Sequence, residues 1–149
     1  MITLSQMIAP HRLLDLETTE HLPALEIMIK SALPRASSSL QFHALEEIRS
    51  HSSSKEINLG KGFALSHARL DAITEIEAVV GLFRQPTGYL EGEPVHSVFC
   101  ILIPSDQSHT YLSLMARLSR FLLQDGIDDI FLGGDHAAIV TAVQSFETE

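Results

Sequence analysis

The chain of 149 residues has no tryptophan and a single cysteine, and aromatic residues make up only 6% of it. One cysteine excludes an internal disulfide and any metal site built on several thiolates, and it is compatible with a reducing compartment. With so few large rings, the core has to be built mainly from Leu, Ile, Val and Ala, within a hydrophobic content of 45%. Cations are also scarce: 10 Lys and Arg stand against 19 Asp and Glu, for a formal net charge of -9. Scattered cations do not form the clustered basic surface that grips a phosphate backbone, so no nucleic-acid partner is expected. A partner with a basic docking face fits better. No apolar run reaches the roughly 18 residues of a membrane span, and residues 1–10 lack the charged start and apolar centre of a secretory leader. The expectation is a cytoplasmic protein with no membrane insertion.

What is present suits one domain, 1–149. Residues 13–16 read as a short strand, after which Thr18 or Thr19 can cap a helix whose Leu22, Leu25, Met28, Ile29 and Ala32 keep helical spacing. Pro23 lies early in that helix, where proline is tolerated. Ser38 with Gln41 forms a capping box for a second helix ending near Arg49, followed by a serine-rich loop over 51–54. Strands are expected over 57–59 and 63–65, flanking Gly60 and Gly62, then over 76–83 and 95–103, with turn-forming residues over 85–94. Ser105 or Asp106 opens a long helix with Leu112, Met115, Leu118 and Leu122 on one apolar stripe, and Gly126 ends it. An apolar segment over 127–132 precedes a last helix capped by Asp135. Alternating helices and wholly apolar strands argue an α/β protein with a mixed sheet covered on both faces.

The stretch GKGFALSHARL, residues 60–70, places a histidine directly after a short apolar strand. An imidazole held at a strand end can expose one nitrogen to a partner while a backbone carbonyl orients the other, in which case Nε2 would be the attacking atom. His67 is therefore the candidate reactive group, with a surface or satisfied core histidine as the alternative. The neighbouring Ser66 is no hydrolase signature, because adjacent strand residues point to opposite faces. His43, His51, His96 and His136 have no spacing that would put two ligands on one helix face, so neither a metal nor another cofactor is expected. Gly133, Gly134 and Asp135 read as one helix end and the next helix start, and Cys100 as a buried, inert thiol.

Three blocks in order, Gly60-x-Gly62-x-Ala64-x-x-His67, Gly92-x-Pro94-Val95 and Leu112-x-Leu114-Met115-Ala116-x-Leu118, resemble the enzyme IIA proteins of the bacterial phosphoenolpyruvate-dependent phosphotransferase system, of the fructose, mannitol and nitrogen-regulatory type. The resemblance extends over nearly the whole chain. It implies a three-layer sandwich with a mixed sheet of about five strands between helices. It also implies that His67 takes a phosphoryl group from the phosphocarrier HPr, or its nitrogen-branch relative, and passes it to an enzyme IIB. A neutral imidazole suits such transfer, where the protein supplies mostly positioning and electrostatics. Arg49 matches an arginine that lies beside the family's reactive histidine, although it also reads as a cation at a helix C-terminus. The chain carries about two more residues than is usual between Arg49 and His67, so Ser54, with Ser53 and Lys55, is open to phosphate binding or plain solvation.

Two positions depart from the family. Ser66 stands where proline is usual, and Tyr111 where a second histidine is usual, with His109 two residues upstream. Ser66, Tyr111 and His109 are counted as candidate phosphate ligands; a tyrosine hydroxyl donates one hydrogen bond but adds no positive charge. Two alternatives follow from the resemblance and its departures: a regulatory protein whose phosphorylation state controls docking to a transporter or kinase, or a degenerate domain kept for interaction alone.

Overall fold

In the computed structural model, which describes residues 2–50, 56–89 and 94–148, five strands form one mixed sheet. The strands are β1 (Leu13–Leu16), β2 (Glu56–Gly60), β3 (Phe63–Leu70), β4 (Glu77–Thr87) and β5 (Val95–Pro104). Their spatial order is β1-β4-β5-β3-β2. β1 runs parallel to β4 and β3 parallel to β5, whereas β4 with β5 and β2 with β3 are antiparallel. β5 occupies the centre, and every one of its residues is buried. Its run from Val98 to Ile103 is apolar without interruption because helices cover both of its faces.

One layer contains α2 (His21–Ala32) and α3 (Ser38–Ser50), which pack Leu25, Met28, Leu45 and Ile48 against Ala64, Val98 and Leu102. The other contains α1 (Leu4–Met7), α4 (Ser108–Leu122), α5 (Ile127–Gly133) and α6 (His136–Glu147), whose Leu114, Leu118, Phe131 and Val143 meet Leu65, Phe99 and Ile101. The three-layer α/β sandwich and its mixed sheet match the expectation. Alternate residues of β3 divide between the two layers: Phe63 and Leu65 join the second, Ala64 and Ala68 the first.

Several local expectations are corrected. α2 begins after Glu20, with no side-chain cap, and neither Thr18 nor Thr19 fills that role; the Thr18 hydroxyl accepts from the Glu20 N–H at 3.3 Å, two residues too early. For α3 the capping hydroxyl belongs to Ser37, which accepts from Leu40 N–H at 3.1 Å, while the Gln41 amide donates to the Leu33 carbonyl at the end of α2. The long helix opens at Ser108 because residues 104–107 form a turn, with Gln107 N–H donating to the Pro104 carbonyl. It ends at Leu122, and Gly126, at φ 85, starts α5, where only an unassigned apolar segment was expected. Leu112 is 63% exposed, so the buried stripe of α4 runs through Leu114, Leu118, Phe121 and Leu122. β4 continues to Thr87, past the expected end at Phe83, because it rejoins β5 at Val95 after an irregularity. Asp135 caps α6 as expected, accepting from the Ala137 and Ala138 N–H groups.

The two ends of the described chain are clamped together. The Glu147 carboxylate accepts from the Leu4 and Ser5 N–H groups at 2.9 Å each and from the Ser5 hydroxyl, and Arg117 bridges Glu147 and the Ile2 carbonyl. Partial burial pushes the Glu147 carboxyl up, but the hydrogen bonds from Ser5 and Leu4 and the Arg117 charge outweigh it and hold the group below its ordinary range.

The turn that starts β3 has the tightest contact. Gly60, Lys61 and Gly62 all have positive φ, and the His96 ring lies over Gly62 so closely that a Cβ there would meet Cδ2 at 2.2 Å. His96 Nε2 pairs with the Lys61 carbonyl at 2.9 Å and Nδ1 with the Ser97 hydroxyl at 2.8 Å. A neutral ring that donates from Nε2 and accepts at Nδ1 satisfies both contacts, and burial pushes the ring's pKa below the ordinary histidine value. Gly62→Ala is expected to cost about 3 kcal/mol, combining backbone strain with a clash that the ring cannot relieve without losing these bonds. Gly60→Ala, at the same sign of φ but with nothing within 4 Å of the added carbon, is expected to cost only about 1 kcal/mol. Urea denaturation of the two variants checks the order, and equal losses would contradict the steric reading of Gly62.

Candidate functional site

β3 does not stop before His67. Its parallel pairing with β5 continues to Leu70, with His67 opposite Ile101, so the imidazole projects from within a strand, where the expectation had it at a strand end. Strand alternation sets its direction: His67 follows Leu65 onto the face covered by α4. His67 is half-buried, and its Nδ1 is buried from solvent. Tyr111, in the first turn of α4, stacks on the ring with centroids 5.5 Å apart and planes inclined by 26°. Helix α4 thus covers one side of the imidazole with an aromatic plate.

Burial pushes the Tyr111 phenol up to about 12, while the charge of Arg69 pulls the other way. The phenol is therefore a neutral hydrogen-bond donor at physiological pH. Arg69 is exposed and lies two residues beyond His67 on the same face of β3. Sequence reasoning missed Arg69 because the strand was expected to end at Leu65; once the strand runs to Leu70, the two-residue repeat puts His67 and Arg69 side by side.

Ser66 is corrected. Its side chain is fully buried on the opposite face, where its hydroxyl donates to Glu56 Oε2 at 2.9 Å and lies 2.8 Å from the Tyr89 hydroxyl. The same alternation that aims His67 outward carries its neighbour away from any phosphate on that ring. Glu56 also accepts from His21 Nε2, at 2.6 and 2.8 Å, and His21 packs against the Tyr89 ring. Burial and the Glu56 charge push the Tyr89 phenol well above its ordinary value. This buried cluster was not anticipated; its members are 68 positions apart at the extremes and carry no local motif.

His109 is corrected as well. It lies on the exposed side of α4 with Leu112, Ser113 and Ala116, since a shift of two residues from Tyr111 turns a side chain through about 200°. Arg49, at the C-terminal end of α3, belongs to the other layer. Its guanidinium pairs with Glu46 at 2.9 Å and lines a groove of about 400 Å³ between α2 and α3. That pair is exposed, and the strand that follows α3 begins at Glu56, which pairs with Ser66 beside His67. Ser54 lies outside the described residues, as do Ser53, Lys55, His51 and Gly92.

The sequence model of the family described as "Phosphoenolpyruvate-dependent sugar phosphotransferase system, EIIA 2" matches residues 13–130. The fructose-specific EIIABC component of that system from Bacillus subtilis (strain 168) is 25% identical over 128 residues, covering 83% of this chain; the chain spans about a fifth of that relative's length. Among solved structures, the nitrogen regulatory protein IIA-Ntr from Neisseria meningitidis superposes with a TM-score of 0.79 at 20% identity, covering 94% of this chain and 98% of that one. Enzyme IIA for mannitol from Escherichia coli, solved in complex with phosphorylated enzyme IIB, superposes with a TM-score of 0.72 at 10% identity, covering 92% of this chain and 96% of that one. At these identities the structures share the fold.

Two predictions follow from the site's geometry. Ser66→Ala is expected to destabilise the protein by about 2 kcal/mol, because the buried Glu56 carboxylate loses a donor; a loss under about 0.5 kcal/mol in thermal unfolding would contradict it. In an ultraviolet titration of the native protein, both tyrosines are expected to remain un-ionised at pH 10, whereas in urea they titrate near 10. Half-ionisation of either at pH 10 in the folded state would show that the phenols are more hydrated than the structure has them.

Proposed function

Because this chain belongs to the EIIA 2 family of the phosphoenolpyruvate-dependent sugar phosphotransferase system, we propose that it is a phosphoryl carrier, with His67 as the group that is phosphorylated. The observation that carries the reading is a half-buried imidazole projecting from a rigid strand beneath the ring of Tyr111. Burial of Nδ1 supports Nε2 as the attacking nitrogen.

The donor is an HPr-like phosphocarrier, itself phosphorylated on a nitrogen. The Nε2 lone pair of neutral His67 attacks phosphorus in line with the donor's nitrogen–phosphorus bond. That bond breaks, its electron pair returns to the donor nitrogen, and the phosphoryl group is left on Nε2. The proton that the His67 ring gives up is matched by the one the donor ring takes. No electron is gained or lost overall, and no further cofactor is required. Strand β3 contributes orientation, and the stacked tyrosine keeps the ring from rotating away from the line of attack. Tyr111 Oη, un-ionised, can donate one hydrogen bond to a phosphoryl oxygen.

The acceptor is an enzyme IIB. The mannitol-specific neighbour solved in complex with its phosphorylated IIB supports this choice of partner. Within the described residues no helix is long and apolar enough to cross a membrane, which suits a carrier that meets its partners in water.

Mixing the protein with enzyme I, an HPr-like carrier and phosphoenolpyruvate is expected to add one phosphoryl group. The adduct should be labile to acid and absent in His67→Ala, as read by intact mass. Absence of any adduct across a panel of HPr-like carriers would reject the proposal.

A further inference from the structure

A phosphoryl group on His67 brings nearly two negative charges to a chain whose formal charge is already -9. Several arginines of the described chain are engaged elsewhere: Arg12 pairs with Glu77 and the Ala78 carbonyl, Arg117 with Glu147, and Arg84 with Glu17. Arg120 lies nine residues beyond Tyr111, about 13 Å along α4. Arg69 is different. Its Cα is about 7 Å from that of His67 on the same face of one strand, its side chain is exposed, and among the described residues it makes no ion pair or hydrogen bond. Its charge is also felt at the phenol of Tyr111, the residue stacked on His67. The guanidinium thus has the reach, the direction and the freedom to meet an anion formed on that ring.

We propose that Arg69 is a phosphoryl-binding cation of this site, its forked N–H groups engaging the equatorial oxygens as the group arrives on His67. The inference rests on the reading of His67 as the phosphoryl acceptor. A guanidinium is charged at every physiological pH and matches two oxygens at once, so it stabilises charge in the transition state and in the phosphorylated product. Its place on the same strand as the nucleophile means that no loop has to close to assemble the pair.

Phosphoramidate, a small phosphoryl donor, separates this chemistry from protein docking. His67 Nε2 attacks its phosphorus, the nitrogen–phosphorus bond breaks, ammonia leaves with the electron pair, and the phosphorylated ring gives up one proton, which the buffer takes. Intact mass follows the rate, and phosphorus NMR identifies the phosphohistidine. In Arg69→Met and Arg69→Gln the rate is expected to fall about tenfold, and in Arg69→Lys by no more than about threefold. The wild-type rate should decline as KCl is raised, and that decline should flatten in the two neutral variants, which a merely structural role for Arg69 would not produce. Neutral variants that react at the wild-type rate with the wild-type salt dependence would overturn the assignment while leaving His67 as acceptor. A wild-type protein that takes no phosphoryl group from phosphoramidate or from any HPr-like carrier would instead overturn the carrier reading, and this assignment with it.

Discussion

Everything at the site follows from the register of β3 between its two neighbours. Pairing with β5 runs without a break from Phe63 opposite Ser97 to Leu70 opposite Pro104, and pairing with β2 joins Ser66 to Glu56. Because side chains alternate, a slip by one residue would turn the imidazole toward the α2–α3 layer and put a serine beneath Tyr111. The strand resists that slip on both sides. On one, Phe63 and Leu65 are locked into the aromatic core with Phe99 and Phe131; on the other, Ala64 and Ala68 admit helices that larger residues would hold off. At its start, the left-handed turn beneath His96 pins β3 against β5.

The two faces of this strand divide the polar work. On the covered face Ser66, Glu56, His21 and Tyr89 satisfy one another, which is the condition under which buried polar groups can persist. A hydroxyl at position 66 is part of that closed set and helps accommodate Glu56 beneath the sheet. The other face carries a half-buried imidazole, a desolvated phenol stacked on it and an exposed guanidinium two residues along the strand. A phenol donor and a guanidinium beside the imidazole suit an anion there, even in a protein that is acidic as a whole.

Much of the architecture was legible because periodicity and burial coincide. Leu25, Met28 and Ile29 repeat at helical spacing and are buried together in α2; Val98–Ile103 is continuously apolar and lies at the sheet's centre. Boundaries were less legible, since Thr18, Ser38 and Asp106 each sit one or two residues from the group that closes the helix, and local composition cannot choose among neighbouring capping residues. In the site, His67 and Tyr111 could be found from the motif and its ordered spacing. Arg69 and the Glu56 cluster could not, because each depends on where a strand stops or on partners distant in the chain. His109 and Ser66 were drawn in by closeness in sequence, which on a helix or a strand is often distance in direction.

The clamp at Glu147 has a separate meaning for how this fold combines with others. Its carboxylate holds the first turn of α1 while Arg117 ties Ile2 into the same knot, so the polypeptide enters and leaves the sandwich through one small patch on the α4–α6 layer. A segment fused at either end would hang from that patch like beads strung through a single eyelet, and swapping it from front to back would scarcely change where it starts. The unit can therefore be placed before, after or between other modules with little adjustment of its own packing.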